Sequence, residues 1–145
     1  MFNKRNFFYH LPLTTLFVVA FSCFIIMNPV NSAPIIQATS INDFSDKELS
    51  ILTFTMPYCG YCKKQGLEFK KYRSRESVPM IWAVVKDSPF FEDLKASGFE
   101  TNIYPTTFIV VRRGNKLVEA QKFRGYQPPA KIIEELNFLK EFMSE

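Results

Sequence analysis

The sequence predicts an α/β domain in which helices cover a mixed sheet. Three observations carry this. Strand-like and helix-like runs follow one another in the order β-α-β-α-β-β-α. The last two strands flank a tight Gly-containing turn, so part of the sheet is antiparallel. The chain has 145 residues, 47% apolar and 22% charged, which suits one globular domain and excludes a disordered tail or a multi-domain assembly.

The elements begin behind an address. Residues 1–32 hold six of the 16 Phe and no acid. Lys4 and Arg5 precede an uncharged apolar run over residues 11–27, and Val30, Asn31 and Ser32 place small or branched residues where a signal peptidase reads. The pattern predicts a signal peptide over residues 1–32, cut after Ser32. The alternative is an uncleaved anchor, since a run of 17 residues is at the short end of a bilayer span. Lipid attachment at Cys23 fits poorly, because the apolar run continues past it. Either main reading puts the remaining chain outside the cytoplasm: periplasmic, secreted, or anchored in an inner membrane with the domain outside.

Residues 33–46 read as a lead-in with some apolar content (Ile35, Ile36, Ile41, Phe44), and the domain proper runs over residues 47–145. Residues 50–55 are apolar and β-favouring and stop at Pro57, as a buried strand does. Residues 62–75 follow as a helix, basic on one side, with Leu67, Phe69 and Tyr72 directed inward; Gly66 within it marks a close packing contact. Residues 80–85 are the second strand. Ser88 and Pro89 then offer an N-cap and a first helical position, Glu92 and Asp93 suit the early turns, and Gly98 closes the helix. Residues 106–111 and 116–123 form a hairpin about Arg113-Gly114-Asn115. Pro128 and Pro129 open the last helix, whose apolar positions Ile132, Ile133, Leu136, Leu139 and Phe142, with Phe138 and Met143, keep a helical period.

Splitting the chain changes its charge and its chemistry. The 18 Lys and Arg and 14 Asp and Glu of the whole give +4, and removing Lys4 and Arg5 leaves +2. Six cations between residues 63 and 75 (Lys63, Lys64, Lys70, Lys71, Arg73, Arg75) face one acid, Glu68. They read as a solvated helix face, and no nucleic-acid partner is expected. Losing the address also removes Cys23 and His10. A domain with two Cys and no His excludes Cys-His and Ser-His catalysis and any His-containing zinc site.

Those two cysteines, Cys59 and Cys62, stand in Cys-Gly-Tyr-Cys where the first strand passes into its helix. The first turn of a helix presents unpaired N–H groups and a partial positive charge, which favour a thiolate. Cys59 is expected as the exposed attacking sulfur. Cys62, one turn in, is expected as the buried sulfur that resolves a mixed disulfide. A structural disulfide, half of a zinc site shared between subunits, and an iron–sulfur ligand pair are the competing readings.

The sequence here resembles the thioredoxin superfamily, over roughly residues 47–143. The resemblance lies in Leu52-Thr-Phe-Thr-Met-Pro-Tyr-Cys-Gly-Tyr-Cys-Lys63, in Ile103-Tyr-Pro-Thr-Thr-Phe-Ile-Val110, and in Phe123-Arg-Gly125 before the last helix. It implies a three-layer α/β/α fold with a central mixed sheet of four to five strands. It also implies a redox-active Cys59–Cys62 disulfide with Cys59 as nucleophile, and a cis-proline at Pro105. Tyr104 and Pro105, with Gly60 and Tyr61 between the sulfurs, would then form the substrate-binding surface. The bare alternative for Pro105 is an ordinary proline leading into a strand. Two departures stand out. Thr53 occupies the place of the buried acid of thioredoxins, and Gly125 stands alone where glutaredoxins have a Gly-Gly pair. The Gly-Tyr dipeptide is similar to that of bacterial periplasmic disulfide isomerases and some reductases.

The expected function is that of an exported thiol–disulfide oxidoreductase, a reductase or a maturation factor for particular clients. The alternative is a non-enzymatic binding or assembly factor on the same fold. Neither a cofactor nor a metal is expected. The expected partners are proteins bearing disulfides or thiols and a membrane electron donor or acceptor, with the chain itself a monomer.

Overall fold

A computed structural model describes residues 31–74 and 79–144, so all but the last two residues of the expected signal peptide over residues 1–32, with His10 and Cys23, lie outside the described residues. Among the described residues the strands are β1 (Asn31–Ser32), β2 (Ile35–Gln37), β3 (Leu49–Thr55), β4 (Arg73–Ser74), β5 (Ile81–Val85), β6 (Thr106–Arg113) and β7 (Lys116–Arg124). The α-helices among them are α1 (Gly60–Lys71), α2 (Pro89–Ala96) and α3 (Pro129–Met143). Five strands make the central sheet in the order β2-β5-β3-β6-β7, while β1 and β4 pair apart as a small antiparallel ribbon. β2, β5 and β3 run parallel; β6 and β7 run antiparallel to their neighbours. This is the expected α/β architecture with a mixed sheet.

Alternation along the central strands builds a core on each face. Leu52 and Phe54 of β3, with Phe108 and Val110 of β6, pack against Phe90, Phe91 and Leu94 of α2. Phe54 meets Phe91 and Phe108 edge-on at 4.9 and 5.0 Å between ring centres. Leu49 and Ile51 of β3, with Ile109 and Val111 of β6, pack against Phe69 of α1 and Ile132, Ile133 and Leu136 of α3. The sheet is therefore the middle of three layers.

The structure departs from the sequence expectations at several points. The lead-in contains strand β2, which hydrogen-bonds along the far side of β5, and its Ala38 and Phe44 are buried in the core. A 3-10 turn at Ile41–Asp43 closes it with a capping box: Ser40 receives a backbone N–H, and the Asp43 carboxylate accepts from Thr39 and Ser40. Helix α1 starts at Gly60, with Cys59 as N-cap, and ends at Lys71; Arg75, its expected last residue, lies outside the described residues.

Leu67 is 47% exposed, and Gln65 takes the inward position. Residues two apart on a helix lie about 200° apart, so Leu67 and Phe69 cannot both face the sheet. On α3 Ile132, Ile133 and Leu136 are buried and Leu139 is half-buried, whereas Phe138, Phe142 and Met143 are 61%, 70% and 47% exposed, so the expected apolar period ends before the last turn. The hairpin is as expected: Gly114, at φ 60°, supplies the left-handed residue that a two-residue hairpin loop demands. A bulge between Ile109 and Val110 interrupts the ladder opposite β7.

Candidate active site

Sheet register brings three chain segments to one end of the sheet. β3 ends at Thr55 and turns through Met56, Pro57 and Tyr58 into α1. Phe54 pairs with Thr106, the first residue of β6, and Thr106 pairs with Arg124, the last of β7. Pro105 and Gly125 therefore flank the same edge from which the turn to Cys59 departs. The Tyr104–Pro105 peptide is cis, as the sequence resemblance implies, and Pro105 is buried while Tyr104 is half-buried. Burial pushes the Tyr104 phenol above its ordinary pKa. A Cβ built on Gly125, at φ 75°, would stand 3.7 Å from Ile103 Cγ2, so this loop and the cis-proline loop lie against each other.

Cys59 and Cys62 form a disulfide with an S–S distance of 2.06 Å and Cα atoms 5.2 Å apart. Cys59 is the N-cap of α1, and its Sγ accepts the backbone N–H of Cys62 at 3.1 Å. A sulfur in this position sits among the unpaired N–H groups of the first turn, where negative charge is favoured. Both cysteines are half-buried, so exposure does not separate them as the sequence reading expected. What separates them is the N–H···Sγ contact, which only Cys59 receives within the pair. Gly60 and Tyr61 are exposed beside the sulfurs, Tyr61 at 66%, and Tyr58 just before them is fully exposed in a left-handed conformation at φ 61°.

Beneath α1 the Thr53 position is filled by a neutral network. Thr53 Oγ1 lies 3.1 Å from Thr107 Oγ1, Gln65 Nε2 donates to Thr107 Oγ1 at 2.8 Å, and Gln65 Oε1 accepts the backbone N–H of Gln127 at 3.2 Å. Among the described residues the buried polar side chains are Thr53, Gln65, Thr106 and Thr107, so none of them is a carboxylate. Sequence reasoning singled out Thr53 but missed Gln65, Thr107 and Gln127. A second tie joins the same loop to α1: the Tyr126 hydroxyl donates to Glu68 Oε2, which raises the Tyr126 pKa. The Tyr126 ring lies 6.4 Å from that of Tyr61, and Lys64 Nζ sits 4.3 Å over it.

No group of three or more His, Cys, Asp or Glu among the described residues is placed to hold a metal ion. Nor is any described helix long and apolar enough to cross a membrane.

No protein-family model matches the sequence, and no curated protein is significantly similar to it. Solved structures do resemble the fold. A thioredoxin-like protein from Clostridium perfringens superposes with a TM-score of 0.57 at 22% identity, over 83% of this chain and 90% of its own. A thioredoxin of Trichomonas vaginalis gives 0.54 at 18% identity, over 74% and 96%. The Malassezia sympodialis thioredoxin gives 0.52 at 14% identity, over 75% and 92%. At these identities the likeness establishes the fold: this chain has a thioredoxin-like α/β fold carrying a Cys-x-x-Cys disulfide at a helix N-terminus.

Proposed function

We propose that the protein exchanges disulfides with protein substrates, and that Cys59 is its attacking sulfur. The observation that carries this reading is the disulfide at the first turn of α1, in which Cys59 alone of the two sulfurs accepts a helix N–H from within the pair. In the reduced protein the same N–H would stabilise a Cys59 thiolate. That thiolate attacks one sulfur of a substrate disulfide; the substrate bond breaks, a mixed disulfide forms, and the departing substrate sulfur takes up a proton. Cys62 then gives up its proton and attacks Cys59 Sγ, closing the Cys59–Cys62 bond and freeing the second substrate thiol. Two electrons pass to the substrate, and an external dithiol or membrane electron donor must restore the protein.

The exposed surface around the sulfurs, with Gly60 and Tyr61 on one side and the half-buried Tyr104 and buried cis-Pro105 loop at the same sheet end, supports docking of an extended segment. The absence of any helical insertion among the described residues favours a reductant, or a maturation factor for particular clients, acting as a monomer. The address over residues 1–32 supports action outside the cytoplasm. Fractionation of cells with N-terminal sequencing of the product tests that part, and an uncut cytoplasmic chain overturns it.

Reduction of insulin by dithiothreitol tests the exchange itself. The native protein should accelerate it and Cys59→Ala should not. Equal acceleration by the two would remove Cys59 from the reaction.

A further inference from the structure

An open depression of ≈ 440 Å³ borders the disulfide, lined by Thr55, Met56, Tyr58, Cys59, Gly60, Cys62 and Lys63. Its character is lopsided. Met56 and Tyr58 are exposed apolar or aromatic walls, Lys63 is exposed, and no acid lines it. Lys63 lies four residues along from Cys59, its backbone N–H bonded to the Cys59 carbonyl at 3.0 Å, so it shares the sulfur's side of the helix.

The neighbouring charges are already engaged. Lys64 sits over the Tyr126 ring, Glu68 accepts the Tyr126 hydroxyl, and Asp87, on the turn after β5, pairs with Lys86 at 2.7 Å. Lys63 has no side-chain partner among the described residues. It is the cation left facing whatever enters the depression.

We propose that this depression selects substrate segments that carry a carboxylate within two residues of the reacting cysteine, and that Lys63 is the residue that reads it. The inference rests on the exchange reading above and names its substrate class. The chemistry is complementary in two ways: an extended segment advances about 3.3 Å per residue, so a Glu or Asp within two residues starts within about 7 Å of the reacting cysteine along the segment, and the exposed Met56 and Tyr58 offer an apolar wall to its methylene groups. An exposed pair of this kind is a modest, salt-sensitive contribution. It discriminates between clients without trapping any of them.

The test uses the reduced full chain and two peptides of equal length. Each carries its cysteine as a mixed disulfide with a chromogenic thiol, flanked by two Glu in one and two Lys in the other. Cys59 attacks the peptide sulfur, the chromogenic thiolate leaves, and Cys62 then displaces the peptide thiol. At low ionic strength the Glu peptide should react about three- to fivefold faster. That ratio should compress at high salt and fall towards one in Lys63→Gln. Lys116→Gln, which removes the same charge at the distant hairpin, should leave it as in the native protein.

If Lys63 served only to stabilise the thiolate, its loss would slow both peptides equally; an unchanged ratio in Lys63→Gln overturns the proposal. So do equal rates for the two peptides in the native protein. Exchange without discrimination overturns the substrate class alone, whereas no exchange with either peptide overturns the exchange reading with it.

Discussion

Gln65 shows how much of this site depends on a side chain with no reactive chemistry. It is 1% exposed, and its amide bridges Thr107 on β6 and the Gln127 backbone N–H after β7. Leucine fills similar space but leaves the Gln127 N–H without that acceptor and removes one of the Thr107 bonds. Gln65→Leu should therefore lower stability by about 1–3 kcal/mol, measured by urea unfolding of the oxidised protein. A loss below about half a kcal/mol would mean that the network is not what holds the loop. The Cys59–Cys62 pair was legible in the sequence because two cysteines at that spacing stand where a strand passes into a helix, and Pro105 only through the resemblance of the segment around it. Gln65, Thr107 and Tyr126 were not, because neutral polar residues carry no periodic or compositional signal until topology brings them together.

At the scale of elements, two substitutions probe what the chain pays for its local geometry. Gly66 lies inside α1, and a Cβ there would meet only Ile35 Cδ1 at 3.9 Å, an ordinary contact. The close packing read from the sequence is thus loose enough for alanine, and Gly66→Ala should stabilise by about 0.5–1 kcal/mol in thermal or urea unfolding. A destabilisation would place a tighter neighbour there.

The Asp43 carboxylate, held by the backbone N–H groups of Thr39 and Ser40, has its pKa lowered from the ordinary carboxylate value. A lowered folded pKa gives stability that is present above the unfolded value and lost as pH falls through the folded one. Asp43→Asn replaces a charged acceptor by a neutral one and should cost about 1 kcal/mol at neutral pH, with the difference from the native protein shrinking as the medium is acidified through the carboxylate range. A difference independent of pH would exclude the charged cap. Strand β2 beside this turn escaped the sequence reading because Ile35–Gln37 is three residues long and follows Pro34, too short for alternation to register. Leu67 and Phe142 face outward for another reason: each turns by about 100° per residue away from its buried neighbours, Leu67 from Gln65 and Phe69 and Phe142 from Leu136, although its apolar character matches theirs.

For the whole molecule, the order of strands and helices was legible because each strong strand is a dense apolar run bounded by Pro, Gly or charge. The placement of β2 beside β5 was not, since nothing local encodes which neighbour a short edge strand takes. The sheet order matters to function. It sets Thr106 between Phe54 and Arg124, and so gathers the turn to Cys59, the cis Tyr104–Pro105 peptide and the Gly125 loop at one edge. That edge rests on the two cores. Leu136, fully buried on the α1 and α3 side, should cost about 2–5 kcal/mol when truncated to alanine, measured by chemical unfolding.

The roles proposed for the two sulfurs, Cys59 attacking and Cys62 resolving, are separated by trapping: Cys62→Ala and Cys59→Ala, each reduced and mixed with a disulfide-bearing protein, then quenched with acid and read by mass spectrometry. A stable mixed disulfide should accumulate on Cys59 in Cys62→Ala, with little or none in Cys59→Ala. Adducts on Cys62 in Cys59→Ala that form as fast as those on Cys59, or no adduct in Cys62→Ala, would overturn these roles.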